Sequence, residues 1–186
     1  MKVKFCLSIL LITTLSRSYL IAQGTEGQLT KNQLRIDFLF PGIAFERAVS
    51  KDMSFVLDSH VGLTSADNNE LVRKNVAMQT ISLQYRYYLN LQKRFSKGRS
   101  TLTNSGLYTG IITEQAIFYG QKESTLFSKA GIISGFQQTF HNGFNINVAG
   151  GAGYTDGINF KAKIRPIIQL SLGIVLGAKK KYRQKE

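Results

Sequence analysis

The stretch Ile81-Ser-Leu-Gln-Tyr-Arg-Tyr-Tyr-Leu-Asn-Leu-Gln-Lys-Arg-Phe-Ser-Lys-Gly-Arg99 decides the fold. Its first half alternates strictly. Ile81, Leu83, Tyr85, Tyr87 and Leu89 fall on one side, and Ser82, Gln84, Arg86, Tyr88 and Asn90 on the other. A period of two is the mark of a β-strand with two chemically different faces. The second half is a basic run, Lys93, Arg94, Lys97 and Arg99, which follows the strand as a turn. The open question is what the apolar face touches: a protein core, or lipid.

Alternation recurs on both sides of this stretch. Leu34, Ile36, Phe38 and Phe40 oppose Arg35 and Asp37 in a first strand; after Pro41-Gly42, Ile43 and Phe45 oppose Ala44 and Glu46. A polar turn at Ser50 to Asp52 leads to a third strand, with Phe55, Leu57, Val61 and Leu63 against Asp58, His60 and Gly62. A polar loop from Ser65 to Asn75 precedes the opening strand, and a fifth strand runs from Ser105 to Phe118 with Glu114 marking its polar face. Leu126, Ala130, Ile132, Phe136 and Phe140 oppose Lys129 and Gln137, and His141-Asn-Gly143 is a tight hairpin signal. Phe144, Ile146, Val148, Ala152 and Tyr154 form the seventh strand, and Ile168, Leu170, Leu172, Ile174 and Leu176 the eighth. No segment has a helical period beyond a short turn at Leu91 to Phe95, and there are no repeats or linkers, so the reading is one all-β domain of eight strands.

The N-terminus is of another kind. Lys2 and Lys4 form a basic start, Phe5 to Leu15 an apolar core, and Ala22-Gln23 a cleavage point. This predicts a secretory signal peptide over residues 1–22, a barrel domain over 23–178 and a basic tail over 179–186. The only cysteine, Cys6, leaves with the signal, so the exported chain would have no disulfide. The whole chain carries a net charge of +13; without Lys2, Lys4 and Arg17 it keeps 21 basic residues against 11 acidic. Such a charge suits an anionic surface. Export argues against nucleic acid as the partner, and neither the cluster at Lys93 to Arg99 nor the tail is interleaved with aromatics for base stacking.

A soluble sandwich turns its apolar faces inward; an outer-membrane barrel turns them to lipid and its polar faces to the lumen. Four features favour the barrel. Most strands from Val76 onward are about ten residues or longer, the length a tilted strand needs to cross hydrocarbon. Glycines sit on polar faces (Gly151, Gly153, Gly173), as a narrow interior requires. Aromatics gather near strand ends: Tyr85, Tyr87 and Tyr88; Phe118 and Tyr119; Phe140 and Phe144; Tyr154. Loops of unequal length and an export signal complete the set. Eight strands starting in the periplasm put Pro41-Gly42, Ser65 to Asn75, Gly120 to Glu123 and Thr155 to Lys163 outside. The turns Ser50 to Asp52, Asn90 to Asn104 and His141 to Gly143, with both termini, then lie inside. The expected fold is an all-β, eight-stranded antiparallel up-and-down transmembrane β-barrel, whose lumen is just filled by side chains. Arg35, Asp37, Glu46, Asp58, His60, Arg86, Glu114 and Lys129 all fall on polar faces, near charge balance, and are read as a structural lumen network.

Four stretches of residues resemble a known family. Leu34 to Phe55, with its Pro-Gly turn and the Glu46-Arg-Ala-Val-Ser-Lys51 hairpin, is similar to the opening of small eight-stranded outer-membrane β-barrel proteins of Gram-negative bacteria. Arg86 to Arg94, Asn104-Ser-Gly106 and Pro166-Ile-Ile-Gln-Leu-Ser-Leu-Gly173 are similar as well. The resemblance implies outer-membrane residence and no catalytic residues. The chain departs from the family in ending on a basic tail rather than a terminal aromatic.

Three functions follow as expectations. The first is a non-enzymatic barrel serving envelope integrity or interaction through its loops. Outer-membrane lipids would be its surroundings, and its basic tail would meet inner-leaflet phospholipid or peptidoglycan. The second is a lipid-modifying enzyme such as an outer-leaflet acylase, for which His60, with Asp58 or Glu114, is the available base. The third is a soluble periplasmic carrier of lipocalin type. No catalytic, cofactor or metal site is expected: the two histidines are far apart, and Gly150-Gly-Ala-Gly153 lies within a strand rather than a phosphate-binding turn.

Overall fold

A computed structural model describes residues 29–66, 73–97, 101, 103–119, 125–157 and 160–176. The expected signal peptide, basic tail and outer turn at 120–123, together with Arg99, lie outside the described residues.

The chain forms eight antiparallel strands in one sheet that closes on itself. They are β1 (Asn32–Asp37), β2 (Gly42–Ala48), β3 (Met53–Ala66), β4 (Arg73–Tyr88), β5 (Gly106–Tyr119), β6 (Thr125–Thr139), β7 (Phe144–Gly157) and β8 (Phe160–Leu176). A short helix, α1 (Leu91–Ser96), follows β4 where the sequence indicated a turn. Each strand pairs with its neighbours in order, and β1 closes the ring on β8 from Leu34↔Leu176 to Asp37↔Gly173. An even strand number returns both ends of the barrel to the same side.

Side chains alternate across the wall in the opposite sense to a soluble protein. Ile36, Ile43, Leu57, Ile81, Leu83, Ile111, Ile132, Val148, Ile168 and Ile174 point outward and are exposed, Ile132 to 66% and Ile168 to 84%. Arg35, Glu46, Ser54, Ser82, Gln84, Arg86, Gln137 and Asn147 point inward and are buried. A minority of inward positions are apolar, and these fill the space between polar groups: Val56, Ile112, Ile133, Ile167 and Val175. Inward glycines make the room: a Cβ on Gly131 or on Gly153 would stand 2.8 Å from Cδ1 of Ile167, and one on Gly173 would collide with the Asp37 carboxylate.

Several sequence expectations are corrected. Phe38 and Phe40 belong to the turn between β1 and β2, not to a strand; outward residues at a rim stay apolar, so the alternation runs on past the last ladder pair. Thr155 to Lys163 is not an open loop: β7 continues to Gly157 and β8 begins at Phe160 rather than Ile168. Tyr88 is not part of an aromatic girdle. It points inward and is buried, while Tyr85 and Tyr87 stay on the outer side, Tyr85 against Phe55 at 4.9 Å. Near the same rim the Phe144 ring lies 6.0 Å from those of Phe38 and Phe140.

The wall is uneven. β1 and β2 have 6 and 7 residues, whereas β3 to β8 have 14 to 17. The Phe38 N–H bonds the Leu172 carbonyl and the Val61 N–H bonds the Pro41 carbonyl, and there the hairpin stops. Above Leu172, β8 therefore has no strand beside it on the β1 side among the described residues. Backbone groups alternate in direction along an antiparallel strand. In step with Leu172, the groups of Ile164, Pro166, Ile168 and Leu170 turn toward that open side. Pro166 has no N–H to offer, and a proline inside a sheet is confined to such an unpaired edge.

Candidate functional site

The lumen holds two stacked polar assemblies. The one nearer the start of β1 and the end of β8 is a plug. Arg86 donates from Nε to Gln84 Oε1 at 2.9 Å and from Nη1 to Gln137 Oε1 at 3.0 Å, and its guanidinium lies 4.2 Å from the centre of the Tyr108 ring. Glu46 accepts from Ser54 Oγ at 2.7 Å, from Tyr88 Oη at 2.8 Å and, more weakly, from Gln137 Nε2 at 3.4 Å. Tyr108 donates to Asn147 Oδ1 at 2.9 Å and lies 5.7 Å from Tyr88. Two opposite charges are thus held apart by an amide and two phenols. Among the described residues neither Glu46 nor Arg86 makes a direct ion pair, which corrects the expectation of one salt-bridge network. Gln137, donating on one side and accepting on the other, is the connecting group.

The plug is sealed from below by the segment after β4. Asn90 Oδ1 accepts from the Leu107 N–H at 2.9 Å, and α1 tucks Leu91 into the barrel end beside Leu29, Tyr88 and Tyr108. The chain then returns beneath the lumen. The Thr103 carbonyl accepts from Gln137 Nε2 at 3.3 Å, Asn104 Oδ1 from the Thr30 N–H at 2.6 Å, and Ser105 Oγ from the Thr139 N–H at 2.8 Å. Thr103 and Asn104 take positive φ, 47° and 61°, to make this turn. The Asn90 to Asn104 connection is long because it is a cap, not a simple hairpin. Its basic residues Lys93, Arg94 and Lys97 remain on the rim, with Arg94 donating to Gln138 Oε1 at 2.7 Å and lying 5.8 Å from the Phe136 ring centre.

The upper assembly is charged and less crowded. Arg35 pairs with Asp37 at 2.8 Å and reaches Asp58 at 3.6 Å, and Asp58 in turn bonds His60 Nδ1 at 3.0 Å. Across the lumen Lys129 pairs with Glu114 at 2.7 Å. A cavity of about 210 Å³ lies between them, lined also by Thr80, Gln84, Asn147, Gln169 and Ser171. The Thr80 and Ser171 hydroxyls are buried and take no hydrogen-bond partner.

All eight residues singled out from the sequence thus line or enter the lumen, in three groups rather than one. Period two located them, because a charge on an alternating strand must point away from the apolar face. The plug residues Tyr88, Tyr108, Gln84 and Gln137, and the cap residues Thr103 to Ser105, were not singled out. Neutral groups on a polar face look like any wet surface until the ring closes around them. Among the described residues no hydroxyl is hydrogen-bonded to His60, and no three His, Cys, Asp or Glu side chains are gathered as metal ligands. His141 lies in the β6–β7 turn, at the end of the barrel opposite His60.

Fold and lumen together define a closed eight-stranded barrel, polar and hydrogen-bonded within and apolar without. No family model matches the chain, and no curated protein or solved structure is significantly similar to it.

Proposed function

We propose that the protein is an integral, non-enzymatic outer-membrane barrel whose plugged lumen serves stability, and whose loops and rims serve envelope integrity or interaction. The observation that carries this reading is the inverted wall. Outward apolar side chains run on β8 from Leu176 to Ile164, roughly 40 Å of strand at about 3.3 Å per residue. At a tilt near 40° that is about 30 Å of height, against an apolar band of about 25 Å in such barrels. In water the same surface would be a continuous apolar patch far beyond the few hundred Å² that soluble monomers tolerate. A closed ring also leaves backbone groups paired along most of the wall, as hydrocarbon demands.

The basic residues of α1 stand on the rim where β1 begins and β8 ends and support contact of that rim with anionic inner-leaflet phospholipid or peptidoglycan. Each cation near such a surface contributes about 1 kcal/mol. The test is the gel mobility of membrane fractions, boiled and unboiled. Outer-membrane residence with a heat-dependent shift is the expected result. A soluble protein with no shift would overturn the reading and make the outward faces a protein interface.

A further inference from the structure

The cavity in the upper lumen crosses the wall. Its lining includes inward side chains of β8, Gln169 and Ser171, and also outward ones, Ile168 and Leu170, together with Phe40 of the β1–β2 turn. Residues on both faces of one strand can line one space only where that strand has a free edge. This is the edge left by the shortness of β1 and β2. Among the described residues the lumen therefore opens sideways, through a gap two strands wide, onto the surface that the proposed function turns to lipid.

We propose that this opening is a binding site for a single amphiphile, with an uncharged, hydroxyl-rich head in the cavity and an alkyl tail leaving past Ile168 and Leu170. The inference rests on the membrane reading and adds a ligand to it. Three observations set the chemistry of the head. First, Thr80 and Ser171 offer buried hydroxyls without partners, Thr80 at 1% exposure, and buried polar groups without partners are uncommon enough to ask for one. Second, the free edge of β8 alternates carbonyls with N–H groups, so its partner must both accept and donate, as a hydroxyl does and a hydrocarbon chain does not. Third, the charged groups already have partners. Lys129 is held by Glu114, Arg35 reaches both Asp37 and Asp58, and His60 bonds Asp58, so a charged head would have to displace an existing contact. Gln84, held at its Oε1 by Arg86, donates only a long 3.4 Å bond to Gln169 Oε1, so the Gln169 amide can turn to a ligand. At about 210 Å³ the space is below the 300 Å³ or more typical of drug-sized pockets, so it admits one small head and not an oligosaccharide.

The test uses the full-length barrel in phosphatidylcholine nanodiscs, with insertion first verified by its heat-dependent gel shift. Octyl glucoside and monooctanoylglycerol are titrated in, with octyltrimethylammonium and octyl sulfate as charged probes of equal chain length. Resonances of Thr80, Ile168, Leu170 and Ser171 are followed by NMR. A saturable response to either hydroxyl-rich probe, at least ten-fold tighter than to the charged probes, supports the site. The response to one or both tells a sugar head from a glycerol head. Thr80→Val adds a readout that a purely structural role would not give. It removes an unpartnered hydroxyl, so the empty barrel should be as stable as the parent or more so, while the affinity falls about ten-fold. Preference for a charged probe, equal responses to all four, or no saturation would overturn the proposal in a barrel that still inserts. A chain that does not insert would overturn the membrane reading as well.

Discussion

Replacing Glu46 by alanine tests the idea that the lumen is held by a bridged, rather than directly paired, set of charges. The carboxylate is 2% exposed and accepts two short bonds, 2.7 Å from Ser54 Oγ and 2.8 Å from Tyr88 Oη. A hydrogen bond to a charged group contributes about 1.5–3 kcal/mol net, so losing both costs about 3–6 kcal/mol. Removing one side of a buried charge arrangement costs about the same, because Arg86 is then left without its counter-charge. Glu46→Gln keeps an acceptor for both hydroxyls while still removing the charge opposite Arg86, and should cost less than Glu46→Ala. Arg86→Met alone should be costly too, but the double variant should recover about 1–3 kcal/mol of the summed losses, since no unmatched charge remains. The assay is urea unfolding of the barrel refolded into lipid vesicles. It is followed by gel mobility and far-ultraviolet circular dichroism, because the chain has no tryptophan to report. A loss below about 1 kcal/mol for Glu46→Ala, or full additivity in the double variant, would refute the bridged arrangement.

Three further outcomes follow from other parts of the wall and lumen. Ile132→Arg, on the most exposed part of β6, should destabilise a lipid-inserted barrel by about 2–4 kcal/mol in vesicle refolding. In a water-soluble protein the same exposed change would stay within about 0.5 kcal/mol, so the size of the effect separates the two environments. Gly153→Ala should cost about 1–3 kcal/mol in the same urea titration, since the new Cβ would stand 2.8 Å from Ile167 Cδ1 and 2.7 Å from the Ala130 carbonyl. Planar-bilayer recordings should show no ion conductance for the parent, and discrete openings once Arg86→Ala and Tyr108→Ala remove two of the three largest side chains of the plug. Conductance in the parent would mean that plug and cap do not seal the lumen.

Much of this architecture is legible in the sequence, because a barrel wall writes its two environments onto alternate residues. Arg35 and Asp37 between Leu34, Ile36 and Phe38 allow only one assignment of faces, and the same logic gives Arg86, Glu114 and Lys129 their side of the wall. What the alternation does not encode is depth and closure. Phe38 and Phe40 continue the pattern beyond the last pair of β1, so the shortness of the first hairpin is not visible. Thr155 to Lys163 looks like a loop because most of its residues are polar or glycine, although Thr155 pairs with Lys163 and Gly157 with Phe160. The cap has no period at all: Asn104 meets Thr30, and Thr103 meets Gln137, only because the ring brings distant segments together. Which amide bridges which charge is likewise a product of the closed geometry.

The unpaired edge of β8 has a consequence for self-association. A row of free strand groups is ordinarily a template on which another copy can add a strand, and chains that leave one exposed are prone to fibre formation. Here Pro166 interrupts the row with a position that has no N–H, midway between the donors of Ile164 and Ile168. An incoming strand would leave an acceptor unanswered there and would meet the proline ring as well. The wall is thus left ajar without becoming a handle by which one molecule recruits the next.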